Sequence, residues 1–219
     1  MGELHRSESW ESLGPAGPEG RHAPRFTLLL RTAKLIADGR EFLCILRDAS
    51  ATGVKVRIFH EIPEHKALLL ELGSGERYPV ELVWSGDDHA GCRFLRDVDV
   101  HKLIDDSNGT YPKRQLRLRI TLPAMLHSGG TATPVTFRDI SQQGCSIESD
   151  KWLMMNELVR IDTQVLPPIY AKVRWRSAPR YGLIFEHPFR LDDLARVSAP
   201  IQFAEAVEQA SAQGSRKPV

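Results

Sequence analysis

The chain has 219 residues, 42% of them hydrophobic and 26% charged, which is comfortable for two domains of about 100 residues and excludes a disordered or fibrous protein. Its 29 basic and 28 acidic residues leave a net charge of +1, so no global field gathers nucleic acid or anionic lipid, and an anionic partner must meet a local cluster. Cys44, Cys92 and Cys145 are widely spaced without a C-x-x-C pair, which argues against a disulfide framework or a zinc site and for a reducing cytoplasm.

Residues 1–19, rich in Gly, Pro, Ser and Glu, read as a disordered tail without the apolar stretch of an export signal. No later run approaches the roughly 18 to 20 apolar residues of a membrane span, so no membrane insertion is expected. From residue 20 short apolar runs alternate with turn signals. Asp38-Gly39 divides two runs as a hairpin turn would, and Gly73-Ser74-Gly75 and Gly86-Asp87-Asp88 break later ones. Val54 and Val56 among polar neighbours show the two-residue period of a half-buried strand, whereas Val100, Leu103 and Ile104 fall on one helical face. This first domain spans 20–105. Residues 106–112 are polar and read as a flexible linker to a second domain at 113–198.

The second domain repeats the first. Asp48, Ser50, Gly53, Trp84, Gly91 and Phe94 recur as Asp139, Ser141, Gly144, Trp175, Gly182 and Phe185, each displaced by 91 positions. Ser128-Gly129-Gly130 replaces the first turn, and Leu191, Leu194 and Ala195 answer the closing helix. Five or six short strands per copy, too few for a two-sheet sandwich, favour a mainly β fold: two small antiparallel barrels in tandem, each closed by a short helix. Residues 199–219 read as a further short helix, weakly periodic at Ile201, Ala204 and Val207, and a polar tail.

Two segments of the first copy carry chemistry. Arg21-His22-Ala23-Pro24-Arg25 is an R-x-x-x-R arm before the first strand, and Asp48-Ala49-Ser50-Ala51-Thr52-Gly53 is a D-x-S-x-x-G turn. With these motifs in order, and with the later Trp and Gly-x-x-Phe landmarks, the sequence resembles the PilZ domain, a bacterial receptor module for cyclic di-GMP. The resemblance implies a six-stranded barrel with the arginines on a flexible arm, and a nucleotide held by Arg21, Arg25, Asp48, Ser50 and Gly53. The residue types suit the ligand. A guanidinium fork matches guanine N7 and O6 or grips phosphate. A carboxylate accepts from the guanine N1 and N2 donors, a hydroxyl serves either way, and glycine permits the turn and a close approach.

In the second copy Lys113 stands where Arg21 stands and Arg117 where Arg25 stands, before an intact Asp139, Ser141 and Gly144 turn. A weaker second site follows from the missing first fork, with Arg114 and Arg119 at different offsets as candidate compensators. Taken singly, the arginines read as solvated tail charges and the turn as an ordinary Asx-type turn. Trp84 and Trp175 read as packing landmarks, and Asp87-Asp88-His89 as a solvated hairpin rather than a metal site. No P-loop, H-E-x-x-H or G-x-S-x-G motif occurs, so neither enzyme activity nor a cofactor is expected. The resulting expectation is a cytoplasmic cyclic di-GMP receptor that passes its signal to a protein partner. Its main rival is a PilZ-like adaptor that docks on a partner without binding nucleotide. A barrel for single-stranded nucleic acid ranks behind both, for want of aromatic platforms along a basic groove.

Overall fold

Alternating apolar residues give each strand one face to bury, and a short sheet with such a face covers it best by closing on itself. The computed structural model describes residues 30–104 and 115–214, and it contains two closed six-stranded antiparallel barrels. In the first, β1 (Arg31–Ala37), β2 (Arg40–Ala49), β3 (Gly53–Arg57), β4 (Leu68–Leu72), β5 (Arg77–Gly86) and β6 (His89–Phe94) take the order β1-β2-β3-β6-β5-β4, with β4 pairing back onto β1. Helix α1 (Val100–Ile104) follows, with Leu103 fully buried. In the second, β7 (Leu118–Ser128), β8 (Thr131–Ile140), β9 (Gly144–Glu148), β10 (Leu158–Asp162), β11 (Ile169–Ser177) and β12 (Arg180–Phe185) repeat that order, and β10 closes on β7.

The turn signals fall where the sequence puts them. Asp38 and Gly39 between β1 and β2 both have positive φ, as do Gly129 and Gly130 between β7 and β8, the requirement of a two-residue hairpin whose twist matches its strands. The recurring Trp and Gly explain one another. A Cβ on Gly91 would stand 2.1 Å from Trp84 Nε1, and one on Gly182 would stand 1.9 Å from Trp175 Nε1. Each indole lies against its glycine from β5 or β11, immediately after a β-bulge, and remains about half exposed.

Helix α2 departs from the sequence reading. It runs unbroken from Leu191 to Gly214 through Pro200, where two separate helices were expected. Proline removes one helical hydrogen bond and would ordinarily end the segment. Here Ala199 packs into the core of the first barrel and Ile201 into that of the second, so tertiary burial on both sides of Pro200 overrides the local signal.

The expected linker at 106–112 lies outside the described residues, but the barrels themselves touch directly. Leu43 of β2 joins the core of the second barrel. Beside it lies a buried polar junction centred on Lys34, 5% exposed, and Glu41, 1% exposed. The Lys34 ammonium donates to Glu41 Oε2 at 3.1 Å and to the Arg117 carbonyl at 3.0 Å, and it pairs with Glu71 Oε1 at 2.7 Å. Its three donors therefore have three acceptors. Arg119 donates to Glu41 through its amide at 2.9 Å and its Nε at 2.7 Å. Gln202 of α2 accepts from the Glu41 amide at 2.9 Å and donates to the Arg119 carbonyl at 2.6 Å. Glu71 also accepts from Arg77 at 2.6 Å.

Candidate functional site

The D-x-S-x-x-G turn has the same internal geometry in both copies. The Ser50 amide donates to the Gly53 carbonyl at 2.8 Å, and the Ser141 amide to the Gly144 carbonyl at 2.8 Å. Both serine hydroxyls reach the same carbonyls, at 3.3 and 3.0 Å, and Ser50 Oγ also accepts from the Gly53 amide at 3.2 Å. Both serines are buried. The hydroxyl thus closes the turn in the manner of an ST-turn. The strand exit after the barrel anchors the same turn from outside: Phe94 and Val98 donate to the Thr52 and Ala51 carbonyls, and Phe185 and Phe189 to those of Gln143 and Gln142.

The motif glycine has a structural reason of its own. Neither Gly53 nor Gly144 has a positive φ, so the turn does not demand the residue. A Cβ would meet the Cys92 carbonyl oxygen at 2.9 Å in the first copy and the Leu183 carbonyl oxygen at 2.2 Å in the second. Glycine admits the close approach of β3 to β6, and of β9 to β12.

The aspartate leads the motif. In both copies it follows a β-bulge, between Leu46 and Asp48 on β2 and between Phe137 and Asp139 on β8. A bulge re-aims the side chains beside it. Asp139 accepts from Arg117 Nη1 at 2.6 Å and from Ser146 Oγ, and its side chain is 25% exposed. Asp48 has no side-chain partner among the described residues and lies opposite Lys55 across the β2–β3 ladder. Sequence reasoning passed over Lys55 and the bulge residue Arg47. Both are half-buried beside Asp48, and neither has an acidic partner among the described residues. The available signal was the offset of 91: Lys55 stands where the second copy has Ser146, and Arg47 where it has Arg138.

Of the expected arginines, Arg21 and Arg25, together with Lys113 and Arg114, lie outside the described residues. Arg117 is in place on Asp139. Arg119 is committed to Glu41 and so is not free to replace a missing fork. The exposed Asp88–His89 pair sits in the β5–β6 hairpin, with Arg57 at 3.4 Å from Asp88. Burial pushes the thiols of Cys44, Cys92 and Cys145 up, that of Cys92 to about 11, so none presents a nucleophilic thiolate at neutral pH. No described helix is long and apolar enough to cross a membrane.

A comparison with curated protein sequences finds no match. Among solved structures the chain is similar to the Borreliella burgdorferi PlzA protein in complex with c-di-GMP, at 15% identity over 78% of this chain and 88% of that one, with a TM-score of 0.35. It is similar also to the K. pneumonia MrkH–c-di-GMP complex, at 14% identity over 85% and 90% with a TM-score of 0.30. Escherichia coli YcgR in complex with c-di-GMP matches at 10% identity over 86% and 89%, with a TM-score of 0.32. The profile of the PilZ domain matches residues 19–106 and again residues 112–199. The chain belongs to the PilZ domain family and carries two copies of that domain in tandem.

Proposed function

We propose that this chain is a receptor for cyclic di-GMP, bound first at the first barrel and more weakly at the second, and that occupancy is read by a protein partner. The observation that carries the reading is the shared turn. Two barrels hold D-x-S-x-x-G in one backbone arrangement, with the aspartate re-aimed by a bulge, and in the second copy an arginine of the arm segment already stands 2.6 Å from that aspartate. Serine closes the turn and glycine admits the neighbouring strand, so the aspartate is the side chain left to meet a guanine edge. In the first barrel Asp48 would accept from guanine N1 and N2, Arg21 and Arg25 would grip phosphate and the Hoogsteen edge, and Lys55 and Arg47, without an acidic partner among the described residues, would add charge for the two phosphates.

The role proposed is that of a receptor rather than a catalyst. Calorimetric titration of the full chain tests it. Each charge-assisted hydrogen bond contributes about 1.5 to 3 kcal/mol, so Arg25→Ala or Asp48→Ala should weaken binding roughly ten- to a hundredfold while the barrels stay folded. Unchanged affinity in both folded variants would refute the site. A wild-type chain that takes up no nucleotide would instead leave the adaptor reading.

A further inference from the structure

We propose that the first barrel is the positioning element of the second nucleotide site, and that Lys34 and Glu41 hold Arg117 of the second copy in its binding geometry. The inference rests on the cyclic di-GMP reading and deepens it. Arg117 is held at both ends. Its guanidinium bonds to Asp139 at 2.6 Å within the second barrel, whereas its carbonyl accepts from Lys34 of the first barrel at 3.0 Å. Two residues on, Glu41 takes both the amide and the Nε of Arg119, and Gln202 takes the Arg119 carbonyl. The first barrel therefore holds the backbone at 117, one residue before the β7 ladder begins at Leu118, and the first barrel and α2 hold Arg119, which that ladder sets opposite Asp139.

Both holding residues are almost fully buried and have their polar atoms paired, which makes the clamp rigid where an arm would otherwise be free. Arg119, the residue at a nearby offset that might have contacted ligand, is the anchor instead. A ligand that needs Arg117 in place binds with an apparent affinity reduced by the fraction of time the residue is elsewhere. Removing the clamp should therefore act on the second site and spare the first.

The test uses the full chain. Asp48→Ala weakens the first site roughly ten- to a hundredfold, so that the second can be titrated with cyclic di-GMP by calorimetry, and Asp139→Ala does the reverse. Adding Glu41→Gln should weaken the second site about tenfold, as if Arg117 were in place one-tenth of the time. The first site should be unchanged within about a factor of two, a difference smaller than the loss of one hydrogen bond. Arg119→Gln, whose side chain is 68% exposed, should give the same selectivity with less risk to folding. Without ligand, both variants should speed hydrogen exchange at the Arg119 amide, the group Glu41 accepts. Equal losses at both sites, or an unaltered second site with the faster exchange, would overturn the clamp. An Asp48→Ala chain that binds no nucleotide would overturn it too while leaving the first-site reading intact. A wild-type chain that binds none would overturn the reading on which it rests.

Discussion

Lys34, Glu41 and Glu71 in the first barrel become Met125, Ala132 and Asp162 at the same places in the second. On β1, β2 and β4 they form a buried ionic face covered by α2 and the start of β7. On β7, β8 and β10 the equivalent face is open, with Met125 exposed and Asp162 paired with His127 and Arg160. The D-x-S-x-x-G turns differ in the opposite sense. Asp48 has no partner among the described residues and faces Lys55, whereas Asp139 is already engaged by Arg117 and Ser146. One fold thus serves as a docked scaffold with an open carboxylate in one copy, and as an undocked outer face with an occupied carboxylate in the other. Duplication preserved the backbone chemistry of the turn and let the outward-facing residues diverge.

The sharpest way to break this comparison is at the junction. Lys34→Met installs the residue that the second barrel carries at that place and leaves Glu41 and Glu71 buried beside a missing cation. Breaking one partner of a buried ion cluster costs about 3 to 5 kcal/mol, so chemical unfolding should show a loss of that order. Met125→Lys in the open barrel should change stability by about 0.5 kcal/mol or less. Similar effects for the two substitutions would mean that the faces do not differ as described.

A smaller contrast separates the motif glycines. Gly144→Ala drives a Cβ to 2.2 Å from a backbone carbonyl oxygen, whereas Gly53→Ala brings one to 2.9 Å. Overpacking of this kind costs roughly 1 to 3 kcal/mol, with Gly144→Ala at the upper end and Gly53→Ala at the lower. Thermal unfolding of the two variants gives the order directly, and the reverse order would contradict the packing explanation of the motif.

In binding, Lys55→Ser makes the first site resemble the second. Loss of one screened charge near the ligand should weaken cyclic di-GMP by about 1 kcal/mol, or fivefold, and lessen the salt dependence of what remains. An unaltered titration would remove Lys55 from the site.

The smallest expected effect is in pH. Burial alone would raise the Glu71 pKa, but its bonds to Lys34 and Arg77 outweigh burial and hold the carboxyl below its ordinary value. A depressed carboxylate contributes stability above its unfolded pKa and loses it as pH falls through the folded one. The junction should therefore weaken only as the medium becomes more acidic than the ordinary carboxylate range. Glu71→Gln should flatten that part of the profile, and an unchanged acid limb would exclude Glu71 as its source.

The barrels and their order along the chain were legible because the strand period, the hairpin signals and the offset of 91 all point the same way. So was the recurrence of the turn that Asp48 and Asp139 lead, whose backbone bonds the two copies share. The long α2 was not, because Pro200 is a local stop signal and the burial that overrides it comes from two barrels at once. The junction was equally hidden. Lys34 and Glu41 look like ordinary strand charges, and only the pairing of β1 with β2 and the approach of β7 put them together. The motif glycine was legible in part: sequence suggests a turn and a close approach, and the constraint found is the close approach of a neighbouring strand rather than the turn.

The central claim is that the first barrel's turn receives the nucleotide. Calorimetric titration of the full chain with cyclic di-GMP, beside the same titration of Asp48→Ala, tests it most directly. The account predicts saturable binding by the wild-type chain and a loss of at least about tenfold at the stronger site in the variant. An identical isotherm from a folded Asp48→Ala chain would contradict it.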